Sequence, residues 1–273
     1  MDPTGRELQP VLSGLIYYPI KGCRGFEVPA WQLERMGLAR DRRMMVVTPD
    51  GHFLTQRELP RLALVTPQLD GDRLSLHAPG CDPLQLALRT TGEPFPVDIW
   101  KSRAVHSIDQ GPEAAAWFSL WLGRPVRLVH FADGYLRRVS PDYAIQPDDH
   151  TGFADGFPLL IASEGSLADL NSRLQEPLPM NRFRPNLVIQ GCAPFDEDRW
   201  KRIRIGGIEI AVVKGCARCV VTTIDKETLQ QSKEPLKTLE TFRKGARGVM
   251  FGQNAIPLGS GLLETGMMVE ILP

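Results

Sequence analysis

The chain has 273 residues and a formal net charge of zero, because 32 Lys+Arg are balanced by 32 Asp+Glu. This length allows one large domain or two domains that pack closely together. Charge neutrality argues against a bulk binder of nucleic-acid polymers and against a polybasic membrane-surface protein.

Short strands are predicted along the first third of the chain. The 25 Gly and 23 Pro exceed average usage, so we expect many short elements joined by turns. Apolar or alternating runs favour strands at residues 43–48, 61–66, 73–77 and 84–88. Pro49-Asp50-Gly51 and residues 69–72 are typical of the turns between them.

The remaining chain predicts further strands and three helices. Strands are expected at residues 126–131, 186–190 and 219–225. Alternation on both sides of Gly206-Gly207 indicates a hairpin. Helices are expected at residues 113–122, after a capping box that begins at Ser166, and after a first-turn proline at Pro235.

This order of elements predicts a β-rich α+β protein. Residues 90–112 and 132–158 are rich in Gly, Pro and Asp and are the candidate linkers. We expect an N-terminal β module at residues 8–95, packed on a β-barrel-like module with a few helices at residues 96–273.

The five cysteines bear on the compartment and the chemistry. The N-terminus shows no signal-peptide pattern, and no apolar run approaches 18 residues, so we expect neither secretion nor a membrane span. The expected location is the reducing cytoplasm, where cysteines more often serve catalysis or metal binding than disulfide bridges.

The C-x-x-C motif at Cys216 and Cys219 has four interpretations. A redox pair needs a following helix, whereas residues 220–224 have the pattern of a strand. A zinc half-site needs a second Cys/His pair, which the sequence lacks. Two small buried thiols are a purely structural interpretation. The fourth is one thiolate ligand to a soft metal, with Arg218 lowering the thiol pKa and meeting an anionic ligand.

Three basic segments have both a structural and a binding interpretation. Residues 17–25 form an aromatic strand end that runs into a Gly-flanked basic turn, which suits phosphate but lacks the P-loop spacing. Residues 40–43 and 181–186 place several Arg at strand starts. Surface solvation, pairing within the cluster and strand-end capping explain these patterns as well as anion binding does.

Six segments in sequence resemble the MOSC proteins, in the branch that contains the mitochondrial amidoxime-reducing component and bacterial hydroxylaminopurine-detoxifying relatives. They are residues 18–25 (YPIKGCRG), 40–42 (RDR), 163–171 (SEGSLADLN), 181–186 (NRFRPN), 195–200 (FDEDRW) and 216–225 (CARCVVTTID). The resemblance runs in order from about residue 11 to 272, and it favours the metal-thiolate interpretation.

The resemblance implies an enzyme with molybdenum bound to a pyranopterin dithiolene cofactor. It assigns Cys219 as the molybdenum ligand and leaves Cys216 beside it. The resemblance implies that Lys21 and Arg42 hold the pterin phosphate and that Arg184, Asn186 and Arg218 line the cofactor. Gly22 is implied to bind the cofactor as well. Asp155 aligns with an acidic residue near the metal, where we expect it to move protons.

Two positions depart from the family pattern. Gly22 stands where a serine commonly follows the motif lysine, which removes a hydroxyl contact but keeps the backbone N–H. Phe157 replaces a serine near Asp155. The second departure predicts a changed pocket shape.

The function implied by the resemblance is reduction of small N-hydroxylated substrates, namely amidoximes, hydroxylamines and N-hydroxylated nucleobases, to amines or amidines. Bacterial relatives often carry a ferredoxin module, and residues 1–273 contain no four-cysteine cluster pattern. We therefore expect electrons from a separate flavoprotein reductase, with or without a ferredoxin or a cytochrome b5-like protein. The alternative is a non-catalytic module that binds the cofactor or carries sulfur as a persulfide.

Overall fold

A computed structural model describes residues 9–273, and strands dominate it. The strands are β1 (Val11–Tyr17), β2 (Phe26–Glu27), β3 (Ala30–Glu34), β4 (Gly37–Leu38), β5 (Met44–Val47), β6 (Thr66–Asp70), β7 (Arg73–His77), β8 (Leu84–Ala87), β9 (Pro94–Ile99), β10 (Ser102–Asp109), β11 (Arg127–Phe131), β12 (Leu159–Ser163), β13 (Leu187–Gln190), β14 (Arg202–Ile205), β15 (Ile208–Ala217), β16 (Lys244–Gly245), β17 (Gly248–Pro257), β18 (Gly261–Glu264) and β19 (Val269–Leu272). The α-helices are α1 (Pro112–Leu122), α2 (Glu164–Ser172) and α3 (Leu236–Arg243). The predicted β-rich α+β class is confirmed.

The largest sheet has nine strands and curls on itself. Its order is β19-β14-β15-β17-β12-β13-β1-β2, and β16 pairs with β17. Only the β12–β13 pair in this order is parallel. A bridge between Val11 and Met268 brings β1 back toward the chain at β19. The inner face of the nine-stranded sheet is apolar, with Leu12, Ile161 and Ile203 fully buried.

Three smaller sheets complete the structure. Their orders are β5-β11-β10-β9, β18-β3-β4 and β6-β7-β8. The sheet that contains β5 and β9 takes strands from both sides of residue 95, and the predicted division of the chain there stays a prediction. Helix α1 buries Trp117, Phe118 and Trp121 in a hydrophobic core that it shares with strands of these smaller sheets.

Several local predictions are confirmed. The hairpin β14–β15 turns at Gly206-Gly207 in the expected register, with Ile205 opposite Ile208. Helix α1 spans the expected residues, and α3 begins directly after Pro235. None of the helices among the described residues is long and apolar enough to cross a membrane.

The predicted strand at residues 219–225 is wrong. Strand β15 ends at Ala217, and Val220–Thr223 form a 3₁₀ helix. The hydroxyls of Thr222 and Thr223 donate to carbonyl oxygens three residues earlier, at 2.9 Å and 2.8 Å. These local hydrogen bonds compete with strand pairing. The β-branched residues of this segment favour a strand in the sequence, and they give no sign of the local bonds.

Three other predictions differ from the structure. The strand expected at residues 61–66 is a 3₁₀ helix, Pro60–Leu64, followed by β6. Helix α2 starts three residues earlier than expected, because Ser163 is its N-cap and its Oγ accepts the Ser166 amide at 3.0 Å. The candidate linker at residues 90–112 contains β9 and β10, whereas residues 132–158 hold only turns and isolated bridges.

Candidate functional site

Loops from both halves of the sequence surround one cleft of about 930 Å³, including the open space at its mouth. All eight of the site residues expected from the sequence line it: Lys21, Gly22, Arg42, Asp155, Arg184, Asn186, Arg218 and Cys219. The fold thus brings together segments that are up to 198 residues apart in the numbering.

Cys219 lies at the turn between β15 and the 3₁₀ helix. Its backbone is extended, and its carbonyl accepts from the Thr222 amide at 3.0 Å. The side chain is half-buried and lines the cleft. Cys216 is also half-buried, and Nη1 of Arg218 donates to its Sγ at 2.9 Å. Every cysteine among the described residues is a free thiol.

Two guanidinium groups stack on the ring of buried Tyr18. The Arg42 and Arg184 guanidinium carbons lie 4.4 Å and 4.1 Å from its centroid. The Tyr18 hydroxyl donates to the Pro185 carbonyl at 3.1 Å, and burial raises its pKa to about 12. A Cβ at Gly25 would lie 2.4 Å from this ring, so the turn needs glycine there.

Arg42 is held by a dense set of polar contacts. Its Nη1 donates to Asp41 at 2.6 Å and to Oδ1 of Asn186 at 3.1 Å, and its Nη2 donates to the Arg184 carbonyl. Asn186 is itself 1% exposed and donates to the Ile16 carbonyl at 3.1 Å. Asn186 therefore orients Arg42 and joins the strand ends beneath the cleft.

Two arginines of the cleft carry buried N–H groups that have no partner among the described residues. Arg184 donates from Nη1 to the Cys23 carbonyl at 2.8 Å, but its Nη2 contacts no acceptor among the described residues. Arg218 donates from Nη2 to the Phe183 carbonyl at 2.7 Å, and its Nε likewise has no partner there. A buried unpaired donor costs about 1–3 kcal/mol, so these groups fit a bound anion. The cleft residues therefore fit a phosphate-bearing group.

Lys21 and Asp155, which also line the cleft, form an ion pair. Nζ of Lys21 contacts the Asp155 carboxylate and donates to the Phe153 carbonyl at 3.0 Å. An ammonium has three donors, so one remains for a ligand. Burial lowers the pKa of Lys21. Desolvation in the cleft acts to raise the pKa of Asp155, but the charge and hydrogen bond of Lys21, together with Arg42 and Trp100, outweigh it and hold that pKa below its usual range.

Gly22 has the left-handed backbone that its position requires. Its φ is +84°, a region that residues with a side chain rarely adopt. Its carbonyl accepts from Nε2 of Gln56, which also lines the cleft. Any side chain at position 22 would therefore strain the backbone of this turn.

The sequence reasoning missed three residues that support the cleft. Buried Arg137 binds the loop that carries Asp155, and buried Lys226 binds Gln56. Arg137 lies in a predicted linker and Lys226 directly follows a predicted strand, so neither carried a motif. Trp100, at a positive φ of 53°, donates to Asp155 at 3.3 Å. A positive φ at tryptophan leaves no signal in the sequence.

Comparison with known proteins places the chain in a family. Residues 9–125 match the MOSC N-terminal beta barrel domain, and residues 148–270 match the MOSC domain. The chain belongs to the MOSC family, in the group of the mitochondrial amidoxime-reducing components.

Three relatives illustrate this similarity. Mitochondrial amidoxime-reducing component 1 of Homo sapiens is 36% identical, over 99% of this chain and 86% of its own. Component 1 of Danio rerio is 37% identical, over 94% of this chain and 83% of its own. Component 2 of Bos taurus is 37% identical, over 87% and 74%. These matches confirm the resemblance drawn from the six segments.

Proposed function

We propose that this chain is a molybdenum-dependent reductase of N-hydroxylated compounds, which yields amines or amidines. The family membership supports this proposal, since the relatives are named for amidoxime reduction. One observation carries it: a half-buried Cys219 thiol shares a cleft with guanidinium N–H groups of Arg184 and Arg218 that have no acceptor in the described part of the chain. The cleft therefore combines a thiol that can bind a soft metal with N–H donors that can bind an anion.

The cofactor proposed is molybdenum with a pyranopterin. Cys219 would bind the metal, because molybdenum favours sulfur donors. Lys21, Arg184 and Arg218 would bind its phosphate with charge-assisted hydrogen bonds, and Gly22 would offer backbone N–H. Arg42 and Asn186 would complete the wall.

When bound, this cofactor supplies the two-electron reduction that breaks the N–O bond. The overall reaction consumes two protons and two electrons per N–OH group and releases water. Lys21 opposes protonation of Asp155, so this carboxylate is ionised when the pair is intact. Asp155 can therefore accept a hydrogen bond directly. Moving protons, which stays part of this proposal, would first require Asp155 to take up a proton against the charge of Lys21.

Electrons would come from a separate protein, a flavoprotein reductase with or without a ferredoxin or cytochrome b5-like carrier. The cytoplasmic location is likewise part of this proposal. Fractionation of the native cells and pull-down of a reductase activity with the purified chain would test both.

The function is tested by reduction of benzamidoxime with a chemical or protein electron donor, on molybdenum-loaded protein. We expect turnover by the natural chain and none by Cys219→Ala, while Cys192→Ala, a thiol outside the cleft, behaves as the natural chain. Metal-free protein that releases sulfur with cyanide would instead identify a persulfide carrier. That result would contradict the reductase.

A further inference from the structure

Two buried cations fix the loop that carries Asp155. Four consecutive carbonyl oxygens accept their N–H groups: Gly152 and Ala154 from Arg137 at 2.7 Å, Asp155 from Arg137 at 3.0 Å, and Phe153 from Lys21 at 3.0 Å. Arg137 is 6% exposed and also donates to the Ser102 hydroxyl. A loop without regular structure is thereby held in one conformation.

Asp155 lines the cleft, and one of its carboxylate oxygens has no hydrogen-bond partner among the described residues. Oδ1 of Asp155 contacts Lys21 and accepts from Nε1 of Trp100 at 3.3 Å. Oδ2 accepts no hydrogen bond from the described residues, and the Asp155 side chain is 73% exposed. Oδ2 is therefore an available acceptor.

The charges around Asp155 make this acceptor distinctive. Five cationic side chains line the cleft: Lys21, Arg42, Arg57, Arg184 and Arg218. Asp155 is the only carboxylate among the described residues that line it. Asp155 is therefore the point of this lining where a negative charge attracts a cation and accepts a hydrogen bond from an N–H group.

We propose that Oδ2 of Asp155 binds an N–H of the substrate, namely the amino group that an amidoxime carries on the same carbon as its N–OH group. The same oxygen binds the cationic amidine that the reaction forms. Lys21 and Arg137 are positioning residues for this contact. This specificity rests on the proposed function, and it favours N-hydroxylated compounds with a neighbouring N–H over those that lack one.

Ligand binding tests this inference without turnover. Calorimetry on molybdenum-loaded protein would compare benzamidine, a cation, with acetophenone, which has a similar size and no N–H. We expect Asp155→Asn to weaken benzamidine at least tenfold and acetophenone less than threefold. Asp142→Asn, at an exposed carboxylate away from the cleft, should change neither.

Two outcomes would overturn the inference. Unchanged benzamidine affinity in Asp155→Asn would show that the carboxylate does not bind the ligand. Equal losses for both ligands would show that Asp155 only maintains the shape of the cleft.

Substrate preference gives a second readout that separates this inference from the proposed function. We expect the ratio of kcat/KM for benzamidoxime over benzaldoxime, which lacks the amino group, to fall at least tenfold in Asp155→Asn. A ratio that stays unchanged contradicts the inference while the reductase stands. A natural chain that reduces neither compound, yet binds benzamidine through Asp155, contradicts only the proposed function.

Discussion

Lys226 donates from Nζ to Oε1 of Gln56 at 2.8 Å, across 170 residues of sequence. Gln56 donates in turn to the Gly22 carbonyl, and Lys226 also donates to the Val221 carbonyl at 2.9 Å. The basic turn at Gly22 is thus tied to the turn after Cys219. Lys226 is 9% exposed and forms no ion pair with a described carboxylate.

Replacing Lys226 should change how stability depends on pH. Burial, helped by the charges of Arg184 and Arg182, lowers the pKa of Lys226 from 10.5 to about 7. Between those values the unfolded chain binds more protons than the folded chain, so stability rises with pH. From pH 6 to pH 9 this group should add about 2–3 kcal/mol to the free energy of unfolding.

Urea unfolding of the natural chain and of Lys226→Met at both pH values measures this contribution as the difference between their pH dependences. Lys233→Met, at an exposed lysine, is the control and should keep the natural pH dependence. An identical pH dependence in Lys226→Met would show that Lys226 is charged in the folded protein at pH 9.

Replacing Arg137 with lysine should loosen the Asp155 loop. Lysine keeps the charge but cannot reach three carbonyl oxygens and a hydroxyl with the fixed guanidinium fork. Amide hydrogen exchange of peptides that cover residues 151–157 should become at least tenfold faster. Arg138→Lys, at the exposed neighbouring residue, should leave that exchange unchanged. Equal exchange rates in both variants would contradict the conclusion that the Arg137 guanidinium holds this loop in place.

Arg184→Lys should weaken retention of the anionic cofactor. The variant loses the unpartnered Nη2 donor, and a charge-assisted hydrogen bond contributes about 1.5–3 kcal/mol. We expect roughly tenfold to hundredfold faster loss of pterin and molybdenum on dialysis. Arg124→Lys, on the exposed surface, serves as the reference. Cofactor retention equal to that of the reference variant would show that Arg184 does not bind the anionic cofactor.

Gly25→Ala should destabilise the protein by about 1–3 kcal/mol, as overpacking does. The added Cβ would lie 2.4 Å from the Tyr18 ring, which must move from beneath Arg42 and Arg184. A Cβ at Gly156 meets no heavy atom within 4 Å, so Gly156→Ala is the matched control for unfolding. Equal thermal unfolding midpoints would contradict the steric argument.

The sequence predicts the parts of the site that motifs carry. Cys219, Arg184 and Gly22 stand in short segments whose residue types leave several interpretations open. The resemblance assigns them to a cofactor site, and the structure places all three in one cleft. The β-rich class followed from short apolar runs, and the hairpin from its two glycines. These signals are local, so they survive without knowledge of the fold.

The rest depends on contacts that sequence separation hides. Lys226 and Gln56 meet only because the chain folds, and Arg137 looked like a linker residue. The strand expected at residues 219–225 does not form, because the Thr222 hydroxyl donates to the Cys219 carbonyl within a local turn. The ion pair of Lys21 and Asp155 was also hidden, although both residues were expected in the site.

The most direct test of the central claim counts the sulfur atoms bound to molybdenum in the loaded protein. Molybdenum X-ray absorption on the natural chain and on Cys219→Ser separates the protein thiolate from the two dithiolene sulfurs. We predict three sulfur neighbours in the natural chain and two in the variant. The same count in both proteins would show that Cys219 is not the metal ligand.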